Sequence, residues 1–203
     1  IYMQKDTLRY RIGVATYSVG VAYNNRKTSL QFIQQEMNNI TALSNETCQL
    51  GIQSRNMVLY IAKKDSPQPI RLMSSVGKQL PLYCTGLGRA LLAYKSEEEI
   101  RSLFPEVLTA YTPHTIATIN DLLKELELTR QRGYAVEHEE TNLMVNCIAV
   151  SLDYNNAPIA ALSISIPTFR ISESKEKEAV QILWEAKQHI ETHFKMYGVD
   201  FGN

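Results

Sequence analysis

Cysteine is scarce in this chain of 203 residues. Cys48, Cys84 and Cys147 are odd in number, and no two of them form a C-x-x-C pair. Three thiols are too few for the disulfide framework that stabilises small secreted domains. The cysteine content therefore predicts a protein of the reducing cytoplasm.

An excess of charge of one sign is also missing. Twenty-one lysines and arginines balance twenty-one aspartates and glutamates, and the isoelectric point is about 7.1. A chain without a positive excess has no overall field that would attract a polyanion. We therefore do not expect these residues to bind nucleic acid by themselves.

Long apolar runs and the common catalytic motifs are absent as well. No run approaches the roughly 20 residues that cross a bilayer, and no basic-then-apolar signal opens the chain. P-loop, G-x-G-x-x-G and G-x-S-x-G patterns are missing. His189 and His193 have the i, i+4 spacing of some zinc ligands, but no third ligand is apparent. We predict no membrane span, no cofactor and no metal site.

The patterns that are present separate into helices and strands. Helical spacing of apolar residues follows Thr28, runs from Ile119 to a stop at Gly133, and returns after Ser172, while a shorter helix is expected over residues 14–23. Runs rich in Val, Ile, Leu and Tyr predict strands at residues 8–12, 46–53, 57–64, 69–74, 134–137, 145–154 and 159–166. Because the helices and strands are segregated, the sequence predicts an α+β fold.

A turn that contains Gly86 leads into a helix-forming run. Backbone N–H groups of a first helical turn have no partner within the helix and suit a carboxylate or phosphate. A plain helix start, with glycines that allow close packing, explains the same pattern.

Two polar groups and a thiol lie in or beside predicted strands. Glu137-His138-Glu139-Glu140 suits a hydroxylated ligand or a metal, although a charged loop is the simpler interpretation. Cys147 is either an ordinary buried thiol or part of a pocket wall. Ser163 and Ser165 are two residues apart and so share one face of a strand, where a ligand or the neighbouring backbone must satisfy their hydroxyls.

Taken in order, several stretches resemble the C-terminal effector-binding domain of IclR-type bacterial transcription regulators. They include YRIG (10–13), ET (46–47), PIRL (69–72), TGLG (85–88), TPHTI (112–116), RGYA (132–135), EE (139–140), CIAV (147–150) and ALSIS (161–165). The resemblance implies a GAF- or profilin-like domain, with a curved antiparallel sheet of about six strands flanked by helices. Residues 1–25 would then be the end of a wing strand and a linker helix, and residues 26–203 the effector-binding domain.

The same resemblance implies a ligand pocket and an assembly. The N–H groups of Gly86 and Leu87 would hold an anionic end of the effector, a small carboxylate or sugar acid. Its polar part would be surrounded by Glu137, Cys147, Ser163 and Ser165, with apolar lining from Leu82, Leu143 and Val145. We expect a non-enzymatic homo-dimer or tetramer that binds DNA only through a winged helix-turn-helix domain missing from these residues.

Two other classes of function remain open at this stage. A hydrolase would use Cys147 with His138 or Glu137 as the base and would show turnover. A ligand-free oligomerisation module would gain no stability from any small acid.

Overall fold

The computed structural model describes residues 2–4, 9–11, 14–25, 29–70, 75–199 and 201. Its centre is a six-stranded antiparallel sheet in the order β5-β4-β3-β8-β7-β6. These strands are β3 (Thr47–Ser54), β4 (Met57–Lys64), β5 (Gln79–Pro81), β6 (Ala135–His138), β7 (Val145–Tyr154) and β8 (Ala157–Pro167). A separate two-stranded sheet pairs β1 (Tyr2–Gln4) with β2 (Arg9–Arg11). The predicted α+β class and the antiparallel sheet of six strands are confirmed.

Six α-helices accompany the sheet in the described residues: α1 (Val14–Asn25), α2 (Ser29–Ser44), α3 (Gly86–Leu92), α4 (Glu97–Leu103), α5 (Ile119–Arg132) and α6 (Glu173–Tyr197). Strand alternation sends Leu50, Ile148 and Leu162 into a core with α2 and α6. The opposite face, which includes Ala149 and Ala161, packs against α3 and α5. The domain is therefore a sheet with a hydrophobic core on each face.

Local sequence signals set several of these boundaries. Ser96 and Glu99 form the capping box that begins α4. Gly133 ends α5 in the left-handed conformation at φ 79°. Asn155 and Asn156 both have positive φ, at 52° and 62°, which suits the tight turn between β7 and β8. The expected helix stop at Gly133 is thus confirmed, and the two asparagines form the hairpin turn.

The strand predicted at residues 69–74 is wrong for the two residues of that range that the structure describes. Pro69 and Ile70 lie in bends, and residues 71–74 are outside the described part of the chain. The edge strand is instead β5, whose three residues pair with Met57–Leu59 of β4. A strand this short shows no alternation that a sequence pattern can reveal. The expectations at Leu8, Ile12, Gly13 and Thr28 also lie outside the described residues.

Within the described ranges, no helix is long and apolar enough to cross a bilayer.

Candidate functional site

Strand register brings the predicted polar residues to one face of the sheet. Glu137 on β6 is opposite Cys147 on β7, and Cys147 is opposite Ser165 on β8. Two residues earlier on β8, Ser163 is opposite Ala149 of β7 on one side and Gln49 of β3 on the other. Because these positions alternate with the apolar ones, their side chains all face α3.

A small cavity lies between this face and the start of α3. Its volume is about 30 Å³. Six residues of the predicted site line it: Gly86, Leu87, Glu137, Val145, Cys147 and Ser163. Polar residues that the sequence analysis did not select complete the walls: Gln49, Tyr60, Lys78, Thr85, Thr141 and Asn142.

Three predicted residues are placed elsewhere. Ser165 does not line the cavity. Its hydroxyl donates to Oε1 of Gln49 at 3.0 Å and lies 3.2 Å from Sγ of Cys147. Leu82 is fully buried in the core on the α3 side, and Leu143 is 55% exposed. Among the described residues, the structure brings neither leucine to the wall of this cavity.

Glycine at position 86 lets α3 approach the sheet closely. A Cβ there would lie 3.3 Å from Cβ of Cys147 and 3.4 Å from Cβ of Ala149. Thr85 begins the helix, since its hydroxyl donates to the Pro81 carbonyl at 3.0 Å and accepts from the Gly88 N–H at 3.1 Å. The first turn of α3 is therefore held directly against the cavity.

Ser163 carries an unsatisfied polar group at this cavity. Its side chain is 1% exposed, and its Oγ has no hydrogen-bond partner among the described residues. A buried hydroxyl without a partner costs about 1–3 kcal/mol. The position of this hydroxyl on a cavity wall points to a ligand that would satisfy it.

Glu137 is a second buried polar group on the wall, with 1% exposure. Burial raises the pKa of its carboxyl to about 7, although hydrogen bonds from the backbone N–H groups of Glu140 and Thr141 oppose the rise. Near neutral pH this group can therefore either donate or accept a hydrogen bond. The charged-loop interpretation is wrong for Glu137 and Glu140, which are both buried.

Comparison with known proteins shows the family. The profile of the bacterial transcriptional regulator IclR C-terminal domain matches residues 22–192. This chain belongs to the IclR family. The HTH-type transcriptional regulator KdgR of Dickeya chrysanthemi is 32% identical over 192 residues, which cover 94% of this chain and 63% of that protein. The chain thus spans less than two thirds of that relative.

Solved IclR-family structures share the fold. The C-terminal domain of the E. coli transcriptional regulator KdgR has a TM-score of 0.73 and 32% identity, and the match covers 81% of this chain and 96% of that one. The inducer-binding domain of PobR from Acinetobacter, a double mutant in complex with 3-hydroxybenzoic acid, has a TM-score of 0.72 and 25% identity. That match covers 79% of this chain and 96% of the PobR chain.

A buried ion pair supports the cavity wall in this IclR-family domain. Arg89 on α3 donates from Nη2 to Oε2 of Glu140 at 2.5 Å, from Nη1 to the Val136 carbonyl at 2.8 Å and from Nε to the Tyr83 carbonyl at 3.1 Å. Sequence reasoning missed this pair because its members are 51 residues apart. The available signal was an arginine inside an otherwise apolar helix.

The surroundings of Cys147 disfavour the hydrolase alternative. Burial, followed by the nearby Glu137 carboxyl, raises the thiol pKa well above its ordinary value, which disfavours the nucleophilic thiolate. His138 lies on the opposite face of the sheet, and its Nδ1 is 2.9 Å from Oδ1 of Asn146. His138 therefore cannot serve as the base for Cys147.

Among the residues that the structure describes, no cluster of three or more His, Cys, Asp and Glu side chains is arranged to hold a metal ion.

Proposed function

We propose that this chain senses a small hydroxylated carboxylic acid in the cavity between α3 and the sheet. Occupancy of the cavity would control DNA binding by a winged helix-turn-helix domain that precedes it in the full regulator, which acts as a homo-dimer or tetramer. The observation that carries the proposal is the Ser163 hydroxyl, which is buried on the cavity wall and has no partner among the described residues.

The composition of the wall supports this class of ligand. Tyr60, Thr141 and Asn142 line the same cavity as Ser163 and carry hydroxyl and amide groups, and Glu137 can accept a hydrogen bond from a ligand hydroxyl. The exposed cation of Lys78, with the first backbone amides of α3, suits a carboxylate. The PobR relative was crystallised with a hydroxylated carboxylic acid, 3-hydroxybenzoic acid.

The size of the cavity links binding to a change of shape. A volume of about 30 Å³ holds about two water molecules, which is less than an organic acid requires. Ligand entry must therefore move a wall. Residues 139–144 cross one end of the wall, with positive φ at Glu139 and Met144 and exposed side chains at Leu143 and Met144. A closed form with this small cavity and an open form that admits the acid would differ in their affinity for it, and this unequal affinity is what a sensor needs to transmit binding.

The first test is titration calorimetry with a panel of hydroxylated carboxylic acids. We expect one class to bind, and Ser163→Ala to weaken its binding about tenfold, which corresponds to about 1.4 kcal/mol for one lost hydrogen bond. Thr41→Val is the matched control, because Thr41 also has a buried hydroxyl without a partner among the described residues but lies outside the cavity.

Two results would contradict the proposal. If no acid binds the wild type, the ligand-free oligomerisation module becomes the better account. If an acid binds wild type and Ser163→Ala equally, its site is not this cavity. Light scattering of the same sample measures whether a dimer or tetramer forms, and operator binding by the full-length regulator with and without the acid tests the coupling to DNA.

A further inference from the structure

A second cavity lies at the other end of α3, beside β7. Its volume is about 240 Å³, much larger than that of the first cavity. Its walls come from α3 and the residues that follow it, the end of α5, the residues that precede β6, and the middle of β7. Among them are Ala90, Ala93, Tyr94, Arg130, Tyr134 and Val150. It shares no lining residue with the first cavity among the described residues.

The apolar part of this second cavity suits a single ring. Ala90 is buried at its base, and the small residues Ala93 and Gly133 leave room between α3 and α5. The Tyr94 and Tyr134 side chains add aromatic surface. A cavity of about 150 Å³ with apolar walls accommodates benzene, so this volume has room for a ring and one substituent.

A fixed cation contributes to the same cavity. Nε of Arg130 donates to the Ala93 carbonyl at 2.7 Å, Nη2 donates to the Lys95 carbonyl at 2.8 Å, and Nη1 donates to the Glu127 carboxylate at 3.0 Å. These bonds hold the guanidinium between α3 and α5. A guanidinium has five N–H donors, so two remain after these three bonds. Arginine that is held in this way is suited to a planar carboxylate.

We propose that the second cavity is a separate binding site for a small aromatic carboxylate, with its ring against Ala90 and the tyrosines and its carboxylate on Arg130. This site goes beyond the sensing function proposed above and does not depend on it. Both cavities contact α3, whose seven residues span about 10 Å. A ligand in the second cavity therefore contacts the helix that also forms a wall of the first.

The test uses benzoate as the probe, with ligand-detected NMR and calorimetry on the purified chain. We expect a dissociation constant of about 1 mM, which is reasonable for a ligand of about nine non-hydrogen atoms. Ala93→Leu should fill the cavity and weaken benzoate binding more than about tenfold, and Arg130→Gln should weaken it by about fivefold or more. Ala42→Leu, the same change on the exposed face of α2, should leave binding unchanged.

Two outcomes overturn the proposal. The absence of benzoate binding to the wild type would refute it directly. Benzoate binding that survives Ala93→Leu but is lost in Ser163→Ala would place the probe in the first cavity. If Ala93→Leu lowers affinity, unchanged urea unfolding of that variant is required to attribute the loss to the filled cavity. Failure of the hydroxy-acid panel would leave the benzoate result unaffected, so the two proposals are tested separately.

Discussion

Two glycines in the first turn of α3 should respond very differently to the same substitution. Gly86→Ala adds a Cβ at 3.3 Å from Cβ of Cys147, which is tight but needs a shift of only a few tenths of an ångström. Gly88→Ala adds one at 2.1 Å from the Leu82 carbonyl oxygen and 2.4 Å from its Cα. Ordinary contacts between non-bonded heavy atoms are about 3.5 Å, so the second change requires a separation of more than about 1 Å.

Neither side of that contact can move at small cost. Leu82 is fully buried, its N–H donates to the Asn56 carbonyl at 3.1 Å, and α3 is buried along all of its residues. Alanine gains about 0.5–1 kcal/mol over glycine inside a helix, which does not offset a clash of this size. We expect Gly88→Ala to lower the free energy of unfolding by about 3 kcal/mol or more, and Gly86→Ala to change it by about 1 kcal/mol or less.

Urea unfolding, followed by circular dichroism and by the fluorescence of the single tryptophan, Trp184, measures both values. The Gly86→Ala variant also serves as the control for a methyl group added to α3. A Gly88→Ala protein with the wild-type midpoint would refute the close approach of α3 to Leu82. Equal losses in the two variants would refute the distinction between a backbone clash and a side-chain contact.

Two further predictions concern the buried charges. Arg89→Met should cost about 3–5 kcal/mol in urea unfolding because it leaves Glu140 buried without its cation, and adding Glu140→Leu should recover part of that loss; a double variant as unstable as the sum of both changes would contradict this. The folded pKa of Glu137, about 7, exceeds its ordinary value of 4.5, so the folded state keeps a proton that the unfolded chain has lost. The contribution of Glu137 to the free energy of unfolding is complete below about pH 4.5, and it falls by about 3 kcal/mol as the pH rises through 7. Unfolding at about pH 5 and about pH 8 should show this fall in wild type but not in Glu137→Gln, and parallel slopes in both would count against it.

Much of the fold was predictable because its signals are local. The strand pattern at residues 145–154 matches β7, and the hairpin turn follows from two asparagines that accept positive φ. The glycine at 133 predicted the end of α5 because it satisfies backbone groups within a few residues, and the capping box at Ser96 is a signal of the same local kind at the start of α4. The three-residue strand β5 was missed because its partner, β4, supplies its register.

The candidate site was predictable only in part. The two-residue spacing of Ser163 and Ser165 correctly places both on one face of β8, and the family resemblance selected Gly86, Glu137 and Cys147. No spacing distinguishes the roles of the two serines, however. Ser165 meets Gln49 across the sheet, whereas Ser163 faces the cavity and has no partner among the described residues.

The sequence by itself determined the α+β class, most helix and strand positions, and the face of β8 on which the two serines lie, because periodicity, caps and turn residues act over a few positions of the chain. Tertiary structure alone decided that Arg89 pairs with Glu140, that the Glu137 carboxyl is shielded from solvent, and that a cavity lies at each end of α3. Those properties depend on distances between residues that are far apart in sequence, and on burial, which is defined only once all the elements have packed.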